Sequence, residues 1–344
     1  MSSSNDTPSS SRPRVVCAFD KFRGTATAAE LVAAAERAAT QSGWTSIAVP
    51  LGDGGEGSIN VVGGLNKFTT VTGPLGDPVD AGWRLDGTVA FIEMAAASGL
   101  VIAGGAAHND PLAANTYGTG ELIANAIELG ARTVYVLLGG SATTDGGLGA
   151  VRAMPPQARL KEIDLVVACD VQTKFVDAAR VFGPQKGASA AQVEFLTRRL
   201  ERLVQMYDEE YGVDVSELPG AGAAGGLAGA LVAIGGRIES GFEVLAEWVA
   251  LDVALEGASL VVTGEGYLDD ESFNGKVVGG VASWARYANV PVLAVVGERD
   301  LAVPVPDNVG VVSLVEEFGL DAAHRETLTL VEKVVAAELE RRRG

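Results

Sequence analysis

Residues 15–50 read VVCAFDKFRGTATAAELVAAAERAATQSGWTSIAVP. The opening run, 15–19, has the length and apolar character of a buried strand. An Ala-rich helix is predicted over 28–40, with Thr27 placed to cap it and Glu30 at the capping-box position. The next apolar run, 46–50, completes a βαβ unit. The same grammar returns near the other end, with strands predicted at 259–263, 290–296 and 310–313 and helices at 276–288 and 325–342. Continuous apolar runs mark strands buried on both faces, the habit of parallel sheets.

The middle reads differently. Strands at 67–72 and 89–93 are separated by the turn-rich PLGDPVDAGWRLDG, which predicts antiparallel pairing. Helices are predicted at 116–129 and 190–211 and strands at 133–138 and 164–169. The Gly/Ala run 219–236 reads as a tightly packed helix opened by a glycine turn. The expectation is an α/β protein with a doubly wound, mostly parallel sheet built from both termini, 14–63 and 241–344. A mixed α/β second domain is inserted at 64–240, and a Ser-rich disordered tail precedes it all at 1–13.

Composition narrows the function. A net charge of −18 argues against nucleic acid or an anionic membrane as partner, and no apolar run is long enough to span a bilayer. The polar N-terminus lacks the apolar core of a signal peptide, so a cytoplasmic location is expected. Two cysteines and two histidines, Cys17, Cys169, His108 and His324, are too scattered for zinc and leave almost no material for Ser-His-Asp or Cys-His hydrolysis. Buried free thiols in a reducing compartment are the better reading of the cysteines.

Forty-four glycines are concentrated in charged loops. Asp20, Lys21, Arg23 and Gly24 follow the first strand, where open α/β sheets place their ligands. Asp53, Gly54, Gly55 and Glu56 follow the second, and paired acids on a glycine loop suit Mg²⁺. GGSATTDGG at 139–147, with Gly140, Ser141, Thr143 and Asp145, resembles a phosphate cradle. FGPQKG at 182–187 holds Lys186 between glycines. GEG at 264–266 with Asp269 and, further on, Lys276 forms another acid–cation set. PGAGAAG at 219–225, with Gly222 and Gly225, contains G-x-G-x-x-G, but VDVSELP before it is a poor strand, so a dinucleotide fingerprint is disfavoured. Neither a Walker A loop nor a G-x-S-x-G elbow occurs. Five glycine-plus-charge loops at strand ends supply what phosphoryl transfer needs: carboxylates for a metal, cations and amides for phosphates, and an acid to orient a hydroxyl.

In order along the chain, these strings resemble the glycerate kinase type I family. They are DxFxG at 20–24, DGGEG at 53–57, TGPLG at 72–76, IEMAxASGL at 92–100, TYGTGELI at 116–123, GGSATTDGG at 139–147, ACDV at 168–171, FGPQKGA at 182–188, PGAGAAGGL at 219–227 and TGEGxLD at 263–269. The resemblance implies a kinase using ATP and Mg²⁺, with D-glycerate as the small hydroxy-acid substrate and phosphoglycerate, in the bacterial branch 2-phosphoglycerate, as product. On it, Asp53, Glu56, Glu265 and Asp269 are metal candidates, and Asp20 or Asp145 would take the hydroxyl proton. Arg23 and Lys186 would hold the substrate carboxylate or the moving phosphoryl group. Gly54, Gly55, Gly140, Ser141, Thr143, Gly222, Gly225 and Lys276 would line the phosphates. A homodimer stays open. The chain departs from the family pattern at Arg23, at Thr173 and Lys174, where Asn-Pro is usual, and at Tyr267, where Arg is usual. Two alternatives follow: a kinase of another small hydroxy-acid, and a weakened paralogue that binds a metabolite without turnover.

Overall fold

A computed structural model describes residues 12–154, 156–273 and 275–343. The tail expected at 1–13 lies outside the described residues except for its last two. Among the described residues thirteen strands run in chain order: β1 (Arg14–Phe19), β2 (Thr45–Ala48), β3 (Lys67–Thr72), β4 (Pro78–Asp86), β5 (Val89–Glu93), β6 (Thr133–Leu137), β7 (Asp164–Ala168), β8 (Arg237–Glu239), β9 (Leu260–Gly264), β10 (Tyr267–Leu268), β11 (Val292–Val296), β12 (Glu298–Arg299) and β13 (Val309–Ser313). The chain divides into two compact units, Met1–Leu51 with Val249–Gly344, and Gly52–Trp248.

The first unit carries a five-stranded sheet of order β13-β11-β9-β1-β2, parallel throughout. Every residue of β9 and β11 is buried, which is why neither shows the polar alternation of a half-exposed strand. From β1 the chain winds one way to β2, while β9, β11 and β13 lie on the other side, so strand order reverses between β1 and β9. The helix Ala28–Gln41 forms as its pattern predicts. Thr27 Oγ1 accepts the Glu30 amide and Glu30 Oε2 accepts the Thr27 amide at 2.9 Å, the full capping box. Its Leu31, Ala35 and Ala38 join Val331, Val335 and Leu339 of the terminal helix Thr327–Arg343 over one face of the sheet.

The second unit carries a six-stranded sheet of order β3-β4-β5-β6-β7-β8. The first two pairings are antiparallel and the rest parallel. The stretch expected to be a turn between two paired strands is itself the nine-residue strand β4, which separates β3 from β5. Pro78 is tolerated because it is the first residue of that strand, and Ala81 and Trp83 alternate inward. Trp83 is fully buried and its Nε1 donates to Thr69 Oγ1 at 3.0 Å. The Gly/Ala run becomes the helix Ala223–Ala233, entered through three consecutive left-handed residues, Ala224, Gly225 and Gly226. The loop at 182–187 is not at a strand end; it closes the short helix Ala178–Phe182 with a 3-10 turn, Pro184–Lys186.

The α/β class read from the sequence is the one adopted: a parallel sheet from the two ends of the chain and a mixed sheet inside. Both cysteines are free and buried, and burial pushes each thiol up to about 12. Among the described residues no helix is long and apolar enough to cross a membrane.

Candidate active site

In the second unit, β6, β7 and β8 run parallel, and their C-terminal ends deliver three segments to one place. Gly139 and Gly140 follow β6, Cys169 and Asp170 follow β7, and Ser240 and Gly241 follow β8. The loop carrying Asp53, Gly54, Gly55 and Glu56 lies against all three. A Cβ on Gly54 would meet Gly241 Cα at 2.8 Å, and one on Gly139 would meet Gly55 Cα at 2.8 Å. A Cβ on Gly140 would lie 3.4 Å from a carboxylate oxygen of Glu56. Glycine is therefore required here for close backbone approach, the reason these loops are so rich in it.

Asp53 Oδ1 accepts the Gly55 amide at 3.0 Å, the local turn expected of an Asp before two glycines. Asp170 Oδ1 accepts the Gly241 amide at 2.8 Å, and its Oδ2 is buried with no hydrogen-bond partner. Burial pushes the Asp170 carboxyl up to about 6, and the neighbouring Asp53 adds to the rise, while Ser240 and the amides of Gly241 and Phe242 oppose it. Asp170 was legible in the sequence only as part of ACDV at 168–171, and no role was attached to it there.

Asp145 and Lys186 lie deeper. Asp145 is 1% exposed, and its two oxygens accept four hydrogen bonds, from the amide and hydroxyl of Thr116 and the amides of Gly147 and Gly149. Lys186 is 3% exposed and its Nζ donates to the Thr143 carbonyl at 2.6 Å. Burial pulls the Lys186 ammonium down to about 7, against the opposing attraction of Asp145. Gly222 and Gly225 are support pieces in this arrangement. A Cβ on Gly225 would sit 2.0 Å from the Thr143 carbonyl oxygen, and one on Gly222 would sit 2.3 Å from the Lys174 carbonyl oxygen. Thr143 Oγ1 donates to the Ala224 carbonyl at 3.4 Å. Ser141, half-buried, pairs by its backbone with Gly99 in an isolated bridge.

The first unit has its own set at the reversal point between β1 and β9. The Asp20 amide donates to the Gly264 carbonyl at 3.1 Å, tying the two strand ends together. Asp20 Oδ1 accepts the Lys21 amide at 2.7 Å and lies 3.7 Å from the Lys21 ammonium. Glu265, 7% exposed, has a buried Oε1 without a partner. Burial pushes its carboxyl up to about 7; Ser272 and Lys276 resist, while Asp20 and Asp269 add to the rise. Asp269 Oδ1 is taken up by Ser272 and the Glu271 amide, and Lys276 Nζ reaches Asp269 at 3.6 Å and Glu271 at 2.9 Å. Arg23 is exposed, with its backbone amide beside Gly266.

The structure thus collects Asp53, Gly54, Gly55, Glu56 and Gly140 in one unit, and Asp20, Glu265, Asp269 and Lys276 in the other. Among the described residues no three His, Cys, Asp or Glu side chains converge as a ready metal set. A pair fits the habit of Mg²⁺ better, since that ion commonly takes one or two carboxylates and leaves its other positions to phosphate and water.

The glycerate kinase family model matches residues 15–158 and 155–339. The chain belongs to the glycerate kinase family. Glycerate 2-kinase of Escherichia coli K12 is 37% identical over 349 residues, spanning 90% of this chain and 89% of that protein. A glycerate kinase of Bacillus cereus is 36% identical, spanning 94% of each. A glycerate kinase 2 structure from Salmonella typhimurium LT2 superposes with a TM-score of 0.81 at 33% identity, covering 97% of this chain and all of that one. As a glycerate kinase family member the chain is an enzyme, a phosphotransferase.

Proposed function

We propose that the protein transfers the γ-phosphoryl group of ATP to D-glycerate, giving 2-phosphoglycerate. What supports this is that relatives named glycerate kinase match nearly the whole chain, across both units. Phosphoryl transfer asks a protein mainly for positioning and for neutralising charge. The loop at 139–147 supplies amides and hydroxyls for phosphate oxygens.

Asp53 and Asp170 are the residues that would hold Mg²⁺, because Asp170 keeps one buried oxygen unclaimed beside a second carboxylate. When bound, the ion would neutralise charge on the phosphates. Glu56, Glu265 and Asp269 remain alternatives for that role. Asp20 and Glu265 are assigned to the proton of the attacking hydroxyl, Glu265 because its buried, partner-free oxygen favours accepting one near neutral pH. Arg23 and Lys276 are assigned to substrate anions. A cytoplasmic location is part of the same proposal.

The test is the purified protein with MgATP and a panel of D-glycerate, glycolate, lactate and tartronate, followed by phosphorus NMR. A 2-phosphoglycerate signal is expected. Turnover of another acid in preference to glycerate would replace the substrate, and no transfer to any of them would overturn the proposal.

A further inference from the structure

Two consecutive peptides of the loop at 139–147 are gripped from behind, one by the half-buried Asn109 and one by the buried Lys186. Asn109 Nδ2 donates to the Ala142 carbonyl at 3.0 Å, and also to the Lys186 carbonyl at 2.9 Å. Lys186 Nζ donates to the Thr143 carbonyl at 2.6 Å. A trans peptide is planar, with its N–H opposite its C=O. Drawing the carbonyls of Ala142 and Thr143 inward therefore turns the amides of Thr143 and Thr144 the other way.

Those two amides, like that of Asp145 after them, make no hydrogen bond within the described residues, whereas the amides of Ala142 and Gly146 at either end of this stretch donate to Ser98 and Gly225 carbonyls at 3.0 Å each. The Thr144 hydroxyl is also buried without a partner. Buried donors left unpaired cost about 1–3 kcal/mol each, so three in a row point to an acceptor the protein itself does not provide. The mouth of the loop at Gly140 is exposed.

Lys186 itself is spent on this task. Its ammonium is sealed inside the unit between Thr143 and the Phe182 ring, 5.9 Å from the ring centre. Gly187 is locked against the Ala106 carbonyl, where a Cβ would come within 2.2 Å, so the turn that carries the lysine cannot easily swing out. A lysine flanked by glycines reads in sequence as a ligand; here its partner is a peptide.

We infer that Lys186 and Asn109 are positioning residues that hold the 142–144 peptides flipped, so that the amides of Thr143 and Thr144 and the Thr144 hydroxyl form a cradle for one oxyanion of a phosphate chain. The role in catalysis rests on the phosphotransfer reading above, but the cradle can be tested without turnover. The probe is inorganic pyrophosphate, titrated into the full chain while amide nitrogen-15 resonances are followed. In the wild type the Thr143 and Thr144 amides shift and saturate. In Lys186→Met that response weakens at least about tenfold, and Lys186→Arg, which restores a buried donor, recovers part of it. Asn109→Ala weakens it as well, and stands in for Lys186→Met should that variant fail to fold by circular dichroism.

Kinetics on the same variants separate positioning from bulk damage. The KM for ATP rises in Lys186→Met and is partly restored in Lys186→Arg. Thr143 and Thr144 amides unmoved by saturating pyrophosphate in the wild type would overturn the cradle, as would wild-type pyrophosphate affinity in folded Lys186→Met. Shifting amides without transfer to any hydroxy-acid would overturn the kinase reading and keep the cradle. Turnover with unmoved amides would do the reverse.

Discussion

Asp145 Oδ2 accepts both the amide and the hydroxyl of Thr116, at 3.0 and 2.8 Å, so one buried carboxylate fastens the loop at 139–147 to the start of the helix Tyr117–Glu128. Thr116 Oγ1 in turn accepts the Ala150 amide at 3.0 Å. Asp145→Ala leaves several buried donors without an acceptor and is expected to destabilise the protein by about 3 kcal/mol or more. Thr116→Val should lose about 1–2 kcal/mol. Urea denaturation of both single variants and the double variant, read as a cycle, checks the coupling. Additive losses would separate the two residues.

Lys186 makes stability depend on pH in a definite direction. Its folded value of about 7 lies below the unfolded value of 10.5, so between the two the unfolded chain binds more protons. Stability therefore rises with pH across roughly 7 to 10.5 by up to about one proton of slope. Lys186→Met should lack that slope. Chemical denaturation of both proteins at pH 7 and pH 9 measures it, and equal pH dependence would contradict an ammonium whose burial outweighs the attraction of Asp145.

Glu265 acts with the opposite sign. Its folded carboxyl, raised to about 7 from 4.5, binds protons more tightly than the unfolded one. The stability this gives is fully present below 4.5 and is lost as pH climbs through 7. Glu265→Gln should therefore melt above the wild type at pH 8 and lose that advantage at pH 4. If Glu265 takes the hydroxyl proton, kcat falls by about 10²–10⁴ in the same variant. Unchanged kcat would remove it from the acid–base role.

Gly225→Ala and Gly212→Ala form a controlled pair. Both residues have left-handed backbone, with φ of 69° and 71°. A Cβ at Gly225 would sit 2.0 Å from the Thr143 carbonyl, while at Gly212 it meets open space. Gly212→Ala is expected to cost about 1 kcal/mol, and Gly225→Ala about 2–3 kcal/mol or more through overpacking against backbone. Gly225→Ala should also weaken pyrophosphate binding, since it displaces the peptide that Lys186 holds. Equal Tm values for the two variants would sink the comparison.

The parts of the fold legible in sequence were those with strong local signals. The 28–41 helix carried both its apolar stripe and its cap, and the buried parallel strands carried runs of Val, Leu and Ala, broken only by Thr263 and Gly264 at the end of β9. β4 was not legible, because Pro78 and Gly82 hid the alternation of Val79, Ala81, Trp83 and Leu85 that in fact sets its inward face. Glycine loops were visible because closely approached backbone leaves a compositional trace. Asn109 and Asp170 left none: a single polar residue gains its meaning from a partner dozens of positions away. Lys186 was visible as a residue, but its burial is produced by elements on either side of Thr143 that no local window contains.

β1 and β9 are in register from Val15 with Leu260 to Phe19 with Gly264. During synthesis, β1 must wait for some two hundred and forty further residues before its central neighbour β9 exists. The interrupted half of the molecule is thus finished last, whereas 52–248 is contiguous and can close on its own. Until then the apolar edge of β1 is open to wrong partners. Truncation from the C-terminus should accordingly spare the contiguous unit and leave the N-terminal fifty residues aggregation-prone.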